Sequence, residues 1–328
     1  MTNYYSSIVP SSLHSLLIGQ KWRDIETLLC NNPSLASEVG SPFNVLPLVT
    51  ALMNNPPLWV VESLIEANPT AVGTKNEYGM LPIRVAIRSK CTTDVINALI
   101  RESPQTAKCF GISGKTCLHL ACLYNADLEL IEKLLEVWPE ATEWRDRDGW
   151  HPLHLACMCG TSPLALKKII DTYPAAAAMP DTPDHQLPLH IAVSHHANIE
   201  ALRNIYDAYP DAIKCHTKTR GLIPLHMACS HKNADIDIVH FLLDNYKAGA
   251  SAHAKGTKSL PLHLAARYGC PMNVIQLLVH AYPGGLSEQN SHGETPFAST
   301  YTKEVIHDTD GDNEPMNPQS AKFLHPEV

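Results

Sequence analysis

One short phrase recurs along this chain, and it limits the possible folds more than any other feature. It reads Leu260-Pro261-Leu262-His263-Leu264-Ala265, with earlier copies at Ile223-Pro224-Leu225-His226-Met227-Ala228, Leu187-Pro188-Leu189-His190-Ile191-Ala192 and His151-Pro152-Leu153-His154-Leu155-Ala156. A variant reads Thr116-Cys117-Leu118-His119-Leu120-Ala121, and fainter copies stand at Leu46-Pro47-Leu48, Leu81-Pro82-Ile83 and Thr295-Pro296-Phe297. Counted on the proline position, the copies fall at 47, 82, 117, 152, 188, 224, 261 and 296, in steps of 35 to 37 residues. A fixed period of this length marks a stacked repeat protein, in which each unit buries its apolar face only against its neighbours. Such an array is a binding surface, and its period does not name what it binds.

Each copy has a physical logic. Proline suits the first turn of a helix, where its missing N–H would have had no helical partner. Leu153 and Ala156 sit three apart and share one helical face. The small Ala lets a neighbouring helix approach. Sixteen to eighteen residues on comes an apolar pair, as in Leu64-Ile65, Leu99-Ile100, Leu134-Leu135, Ile169-Ile170, Leu242-Leu243 and Leu277-Leu278, which places a second helix with its own buried face. The unit is helix, turn, helix, long polar loop.

These copies, the later apolar pair, and a Gly shortly before the motif (Gly79, Gly114, Gly149, Gly221, Gly293) resemble the ankyrin repeat over nearly all of the chain. The resemblance implies an all-α ankyrin-repeat solenoid of helix-turn-helix units joined by hairpin-like loops. About eight units span 11–307, with degenerate caps at both ends. A flexible N-terminus precedes them at 1–10, and a disordered acidic tail follows at 308–328. The sequence departs from the family pattern in three ways. The motif Thr, the expected helix N-cap, survives only at Thr116 and Thr295, so Leu260→Thr is expected to add a cap and raise stability. The second helix ends in Pro at 33, 69, 104, 139, 174, 210 and 283, and only Lys247-Ala248-Gly249-Ala250 looks like the usual turn. The period also exceeds the family's usual length of about 33 residues.

Composition excludes several classes of function. A net charge of −8 with scattered Lys and Arg disfavours generic nucleic-acid or anionic-membrane binding. Ten Cys in 328 residues do not read as a secreted disulfide scaffold. Cys122, Cys157 and Cys229 recur where a small buried residue is wanted. There is no signal-peptide pattern and no run of about eighteen apolar residues. The expectation is a monomeric intracellular protein, cytoplasmic or nuclear.

Sequence features that could carry chemistry have simpler explanations. His119, His154, His190, His226 and His263 form a column. The resemblance implies that each ring hydrogen-bonds a loop of its own or the next repeat. Repeats about 10 Å apart cannot share a zinc ion bound at about 2 Å. The pairs His119 with Cys122, His154 with Cys157 and His226 with Cys229 offer two ligands where structural zinc needs four. Cys159 beside His154 lacks an orienting partner for nucleophilic work. The Asp308–Glu314 stretch has its Gly at the fourth place, not the sixth that a calcium loop needs. The aromatic column Trp138, Tyr173, Tyr209, Tyr246 and Tyr282 reads as packing at the ends of the second helices. No catalytic, metal or cofactor site is expected.

The reading is a protein-protein interaction scaffold or adaptor. The alternatives are a regulatory ankyrin protein acting in the nucleus, and an enzyme with an unrecognised site. Ankyrin proteins bind through loop tips and the exposed side of the first helices. By motif position that side holds Leu123, Tyr124, Met158, Cys159, Ser194, His195, Ser230, His231, Arg267 and Tyr268. The tips include Arg145, Arg147, Asp148, Trp150, Lys218, Arg220 and Leu222. The fourth loop is the expected hot spot. Trp150 follows the loop glycine, where side chains should point to solvent, and Arg145 and Arg147 are near it in sequence. Exposed Trp and Arg are the residue types that dominate interface energetics.

Overall fold

Proline fixes where most of the first helices of the repeats begin. The computed structural model describes residues 12–40, 45–181 and 184–300. The segment 1–10, the tail 308–328 and the end of the last expected unit lie outside the described residues. The chain divides into two bodies, one ending at Arg147 and the other beginning at Asp148. The first holds four helix pairs: α1 (Ser12–Ile18) with α2 (Trp22–Asn31), α3 (Pro47–Met53) with α4 (Leu58–Ala67), α5 (Pro82–Arg88) with α6 (Thr93–Glu102), and α7 (Cys117–Leu123) with α8 (Leu128–Val137). The second holds α9 (Pro152–Cys159) with α10 (Pro163–Thr172), α11 (Pro188–Ser194) with α12 (Ile199–Ala208), α13 (Pro224–Ala228) with α14 (Ile236–Asn245), and α15 (Pro261–Tyr268) with α16 (Met272–Ala281). The motif proline is the first helical residue of α3, α5, α9, α11, α13 and α15. The described residues contain no strand, only isolated antiparallel bridges at Gly40–Val45 and Phe110–Thr116.

Within each body, like packs on like. First helices stack α1–α3–α5–α7 and α9–α11–α13–α15, and second helices stack α2–α4–α6–α8, α10–α12 and α14–α16. The motif Ala permits the close approach: Ala51, Ala86, Ala121, Ala156, Ala192 and Ala265 are fully buried. The motif Leu and the second-helix pairs supply the apolar bulk. Leu118, Leu153, Leu189, Leu134, Ile169 and Leu242 are among the buried residues, each contributing about 1.5–3 kcal/mol of burial. Cys122, Cys157 and Cys229 fill the small buried place the sequence assigns them, and all ten cysteines are free thiols.

The prolines that end the second helices start something new. Each opens a 3-10 turn: Pro33–Ser37, Pro69–Gly73, Pro104–Lys108, Pro139–Glu143, Pro174–Ala178, Pro210–Lys214 and Pro283–Leu286. These turns add residues to each unit, which explains the long period. The preceding residue is held out of the α region, near φ −143° and ψ 80° at Tyr173, as residues before proline tend to be. The sequence reading of Lys247–Ala250 as an exceptional turn is corrected here. Lys247–Ser251 forms the same 3-10 turn, and Tyr246 has φ −151° and ψ 74°. The stack imposes the turn, and proline only favours it.

The helix N-caps also differ from expectation. Leu260 does occupy the N-cap of α15, with φ −78° and ψ 162°, but its side chain is 0% exposed. A Cβ on Gly285 would stand 3.2 Å from Leu260 Cδ1, which locates Leu260 in the core against the following turn. Leu187 and Ile223 are buried at the same position. The side chain at this place packs, and capping passes to the histidine three residues on.

Candidate functional site

Each motif histidine of the second body clamps two backbone segments. The N-cap N–H donates to Nδ1 of the ring: His151 to His154 at 3.1 Å, Leu187 to His190 at 3.2 Å, Ile223 to His226 at 3.3 Å, and Leu260 to His263 at 3.1 Å. Thr116 makes the same bond to His119 at 3.2 Å. With Nδ1 accepting, the neutral ring carries its proton on Nε2. Nε2 then donates to a carbonyl of a following loop: His154 to Met179 at 3.0 Å, His190 to Cys215 at 3.0 Å, His226 to Ser259 at 3.1 Å and His263 to Glu294 at 3.0 Å. Burial pushes His190 and His226 down to about 4, against the carbonyl bonds that favour the charged ring, and lowers His263 as well. Both nitrogens of these four rings are committed, which leaves none for a metal or a proton relay. Among the described residues no group of three or more His, Cys, Asp or Glu is placed to hold a metal ion.

The loops are ordered by their own backbone. Gly111 N–H donates to Lys115 O, Thr217 N–H to Leu222 O and Ala254 N–H to Ser259 O, each closing a narrow loop neck. Neighbouring loops then hold one another. In the first body Arg147 N–H donates to Ser113 O at 2.9 Å, and Lys115 Nζ pairs with the buried Asp146 carboxylate at 3.0 Å. In the second, Lys218 N–H donates to Asp184 O and Ser291 N–H to Thr257 O.

The residues singled out from sequence fall in both bodies. In the first, Arg145 and Arg147 are exposed, and Leu123 and Tyr124 are half-buried at the end of α7. In the second, Asp148, Lys218 and Arg220 are exposed, Tyr268 is exposed, and Met158, Cys159, Ser194, His195, Ser230, His231 and Arg267 are half-buried. Next to these positions, His196 meets His231 edge-on at 5.0 Å, and Ser194 Oγ donates to Met227 Sδ at 3.3 Å. Two expectations are corrected. Leu222 is buried and is no loop tip. Trp150 does not stand free in solvent: it is half-buried, with its ring 6.0 Å from that of His154.

The sequence reading missed the open aromatic cluster of the first body. Phe110 stacks on Trp144 at 5.3 Å and an interplanar angle of 22°, and Trp144 meets Trp138 at 5.7 Å. Phe110 is 56% exposed, Ile112 54% and Trp144 38%. Trp144 closes the 3-10 turn Pro139–Glu143, and Phe110 follows the one at Pro104–Lys108. The two rings therefore come from neighbouring copies of nearly the same repeat position. Aligning the copies on their prolines would have brought them together, since Phe110 and Trp144 stand seven and eight residues before positions 117 and 152.

A family model of ankyrin repeats matches residues 118–213 and 189–290 in three copies, more than half of the chain. No curated protein matches the sequence. Among solved structures, the ankyrin repeat domain of Bcl-3, described as a unique member of the IkappaB protein family, is 22% identical with a TM-score of 0.51. The likeness covers 67% of this chain and 94% of that one. A chain from the complex of the predatory endopeptidase Bd0816 of Bdellovibrio bacteriovorus with immunity protein Bd3460 is 18% identical with a TM-score of 0.48, over 60% of this chain and 97% of that one. With its prolines at the first helical position, its doubly bonded histidines and its necked loops, the chain belongs to the ankyrin-repeat family, whose repeats are protein-interaction modules.

Proposed function

We propose that this chain is a non-enzymatic adaptor that binds a protein partner, anchored in its first body by the Phe110–Trp144 stack. The observation that carries the reading is that stack, left open to solvent on loops whose backbones are already pinned. Rigid exposed aromatics bring large apolar area to an interface at little cost in conformational entropy. Arg145 and Arg147 are exposed just after Trp144 in the chain, and Leu123 and Tyr124 are further contact positions in the same body. In the second body Asp148, Trp150, Met158, Ser194, His195, Ser230, His231, Arg267 and Tyr268 are secondary contact positions. A net charge of −8 favours a protein over nucleic acid as partner. The chain acts as a monomer in the cytoplasm or the nucleus. Among the described residues no helix is long and apolar enough to cross a membrane.

The test is affinity purification with quantitative mass spectrometry on the wild type and on the Phe110→Ala, Trp144→Ala double variant. The variant should lose the partner by about thirtyfold, roughly 2 kcal/mol, while its unfolding midpoint barely moves. Equal recovery by both proteins overturns the assignment of the anchor. Turnover of a small substrate by the pure chain overturns the adaptor reading.

A further inference from the structure

Two departures from the repeat pattern and a second cysteine meet at one place in the first body. The other copies of the motif carry Pro at the first position, and α7 carries Cys117 instead. The histidine column holds Arg84 in the copy that begins at Pro82. The residue closing the 3-10 turn before α7 is Cys109. Cys109 Sγ lies 3.7 Å from Cys117 Sγ, across the base of the loop bridged at Phe110–Thr116. Arg84 is 2% exposed and runs beneath this loop. Its Nη1 donates to Lys115 O at 2.6 Å, and a Cβ on Gly111 would stand only 2.3 Å from Nη2. Only glycine at 111 leaves room for the guanidinium there. Cys117 is buried and Cys109 is half-buried, so Cys109 is the more accessible of the two.

We propose that Cys109 and Cys117 form an oxidation site reactive toward hydroperoxides, with Cys109 as the attacking thiolate, Cys117 as the resolving thiol and Arg84 as the positioning cation. The Cys109 thiolate attacks one peroxide oxygen and the O–O bond breaks. Sulfur loses two electrons and becomes the sulfenic acid, and the peroxide leaves as hydroxide or alkoxide, which takes up a proton. Cys117 sulfur then attacks the sulfenic sulfur. The S–S bond forms, the S–O bond breaks, and the oxygen departs as water with the Cys117 proton. The sum is two thiols and one hydroperoxide giving one disulfide and two molecules of water, or one water and one alcohol. A disulfide needs about 2.05 Å between sulfurs, so the gap must close by about 1.7 Å, within reach of side-chain rotation. The environment supports this division of roles. A hydrogen bond from Cys117, outweighing the cost of burial, and the nearby charges of Arg84 and Lys75 hold the Cys109 thiol below its ordinary value, while Cys117 is raised by Cys109 and by burial. Burial pushes Cys91 and Cys270 up to about 11 and raises Cys157 and Cys229 too, which leaves those thiols inert. The disulfide would staple the base of the loop that carries Phe110 and Ile112.

The test uses the full reduced chain titrated with hydrogen peroxide, quenched, alkylated, digested and mapped by mass spectrometry, with exposed Cys30 as the internal reference. The expected result is a Cys109–Cys117 linked peptide, two hydrogens lighter, that forms before Cys30 is oxidised. Cys117→Ser should leave Cys109 as a sulfenic acid that dimedone traps. Arg84→Gln should slow alkylation of Cys109 at neutral pH by about threefold or more. Oxidation of Cys30 while Cys109 and Cys117 stay reduced overturns the proposal, as does Cys109 pairing with any other cysteine. The wild-type map decides the matter even if a variant fails to fold.

Discussion

The imidazole of each motif histidine in the second body is used twice, and the bond accepted at Nδ1 needs the ring neutral. An ordinary histidine titrates near 6.5, whereas His190 and His226 are held down to about 4 by burial. The unfolded chain therefore takes up protons that the folded chain refuses. The stability these rings contribute is fully present above pH 6.5 and is lost as pH falls toward 4, on the order of 3 kcal/mol for each ring. Chemical denaturation followed from pH 8 to 4 should show a flat region and then a decline beginning near 6.5. His190→Gln should be less stable at pH 7.5 and should decline less steeply; a variant with the same slope as the wild type contradicts the clamp. Leu260 makes a second case at this scale. Its side chain sits at an N-cap yet is fully buried. Leu260→Thr trades buried methyl groups for a hydroxyl cap, and the lost packing outweighs the added cap. The variant should lose roughly 1–3 kcal/mol in urea unfolding, and a gain would mean that capping wins.

At the scale of the helix pair, the 3-10 turn after each second helix is what distinguishes these repeats. Lys247 begins such a turn without proline, behind a residue in the same non-helical conformation that precedes proline in the other copies. Lys247→Pro should raise stability by about 0.4–1 kcal/mol, because it restricts the unfolded chain without straining the folded one. Calorimetry on the two proteins checks it, and a drop in melting temperature would show that the Lys247 N–H is needed. The helices themselves were legible in the sequence because Pro, the Leu–Ala spacing and the apolar pairs act locally. The turns were not, since proline marks where a helix stops and leaves the next residues' conformation open. The aromatic stack was not legible for a similar reason. In sequence Trp144 has a packing place on the loop base and Trp150 has none, and only the structure shows that Trp150 lies beside His154 while Trp144 stacks on Phe110.

At the scale of the whole molecule, the terminal units of a repeat array cover faces that have no other partner. Leu13, Leu17 and Ile25 of α1 and α2 are completely buried, and these helices pack on α3 and α4. Deleting residues 11–42 should uncover that face and cause concentration-dependent association in sedimentation velocity. A monodisperse truncated chain would mean that α3 and α4 suffice as a cap. The expected tail at 308–328 lies outside the described residues, and its deletion is predicted to leave the melting transition unchanged. The central claim, that the open aromatic stack of the first body holds a protein partner, is tested most directly by site-specific photocrosslinking. A benzophenone amino acid is placed at Phe110 in one protein and, as the control, at exposed Leu164 of the second body in another. The account predicts a discrete crosslinked partner from position 110, suppressed by Trp144→Ala, with little or none from 164. A partner captured from 164 and not from 110 would contradict it.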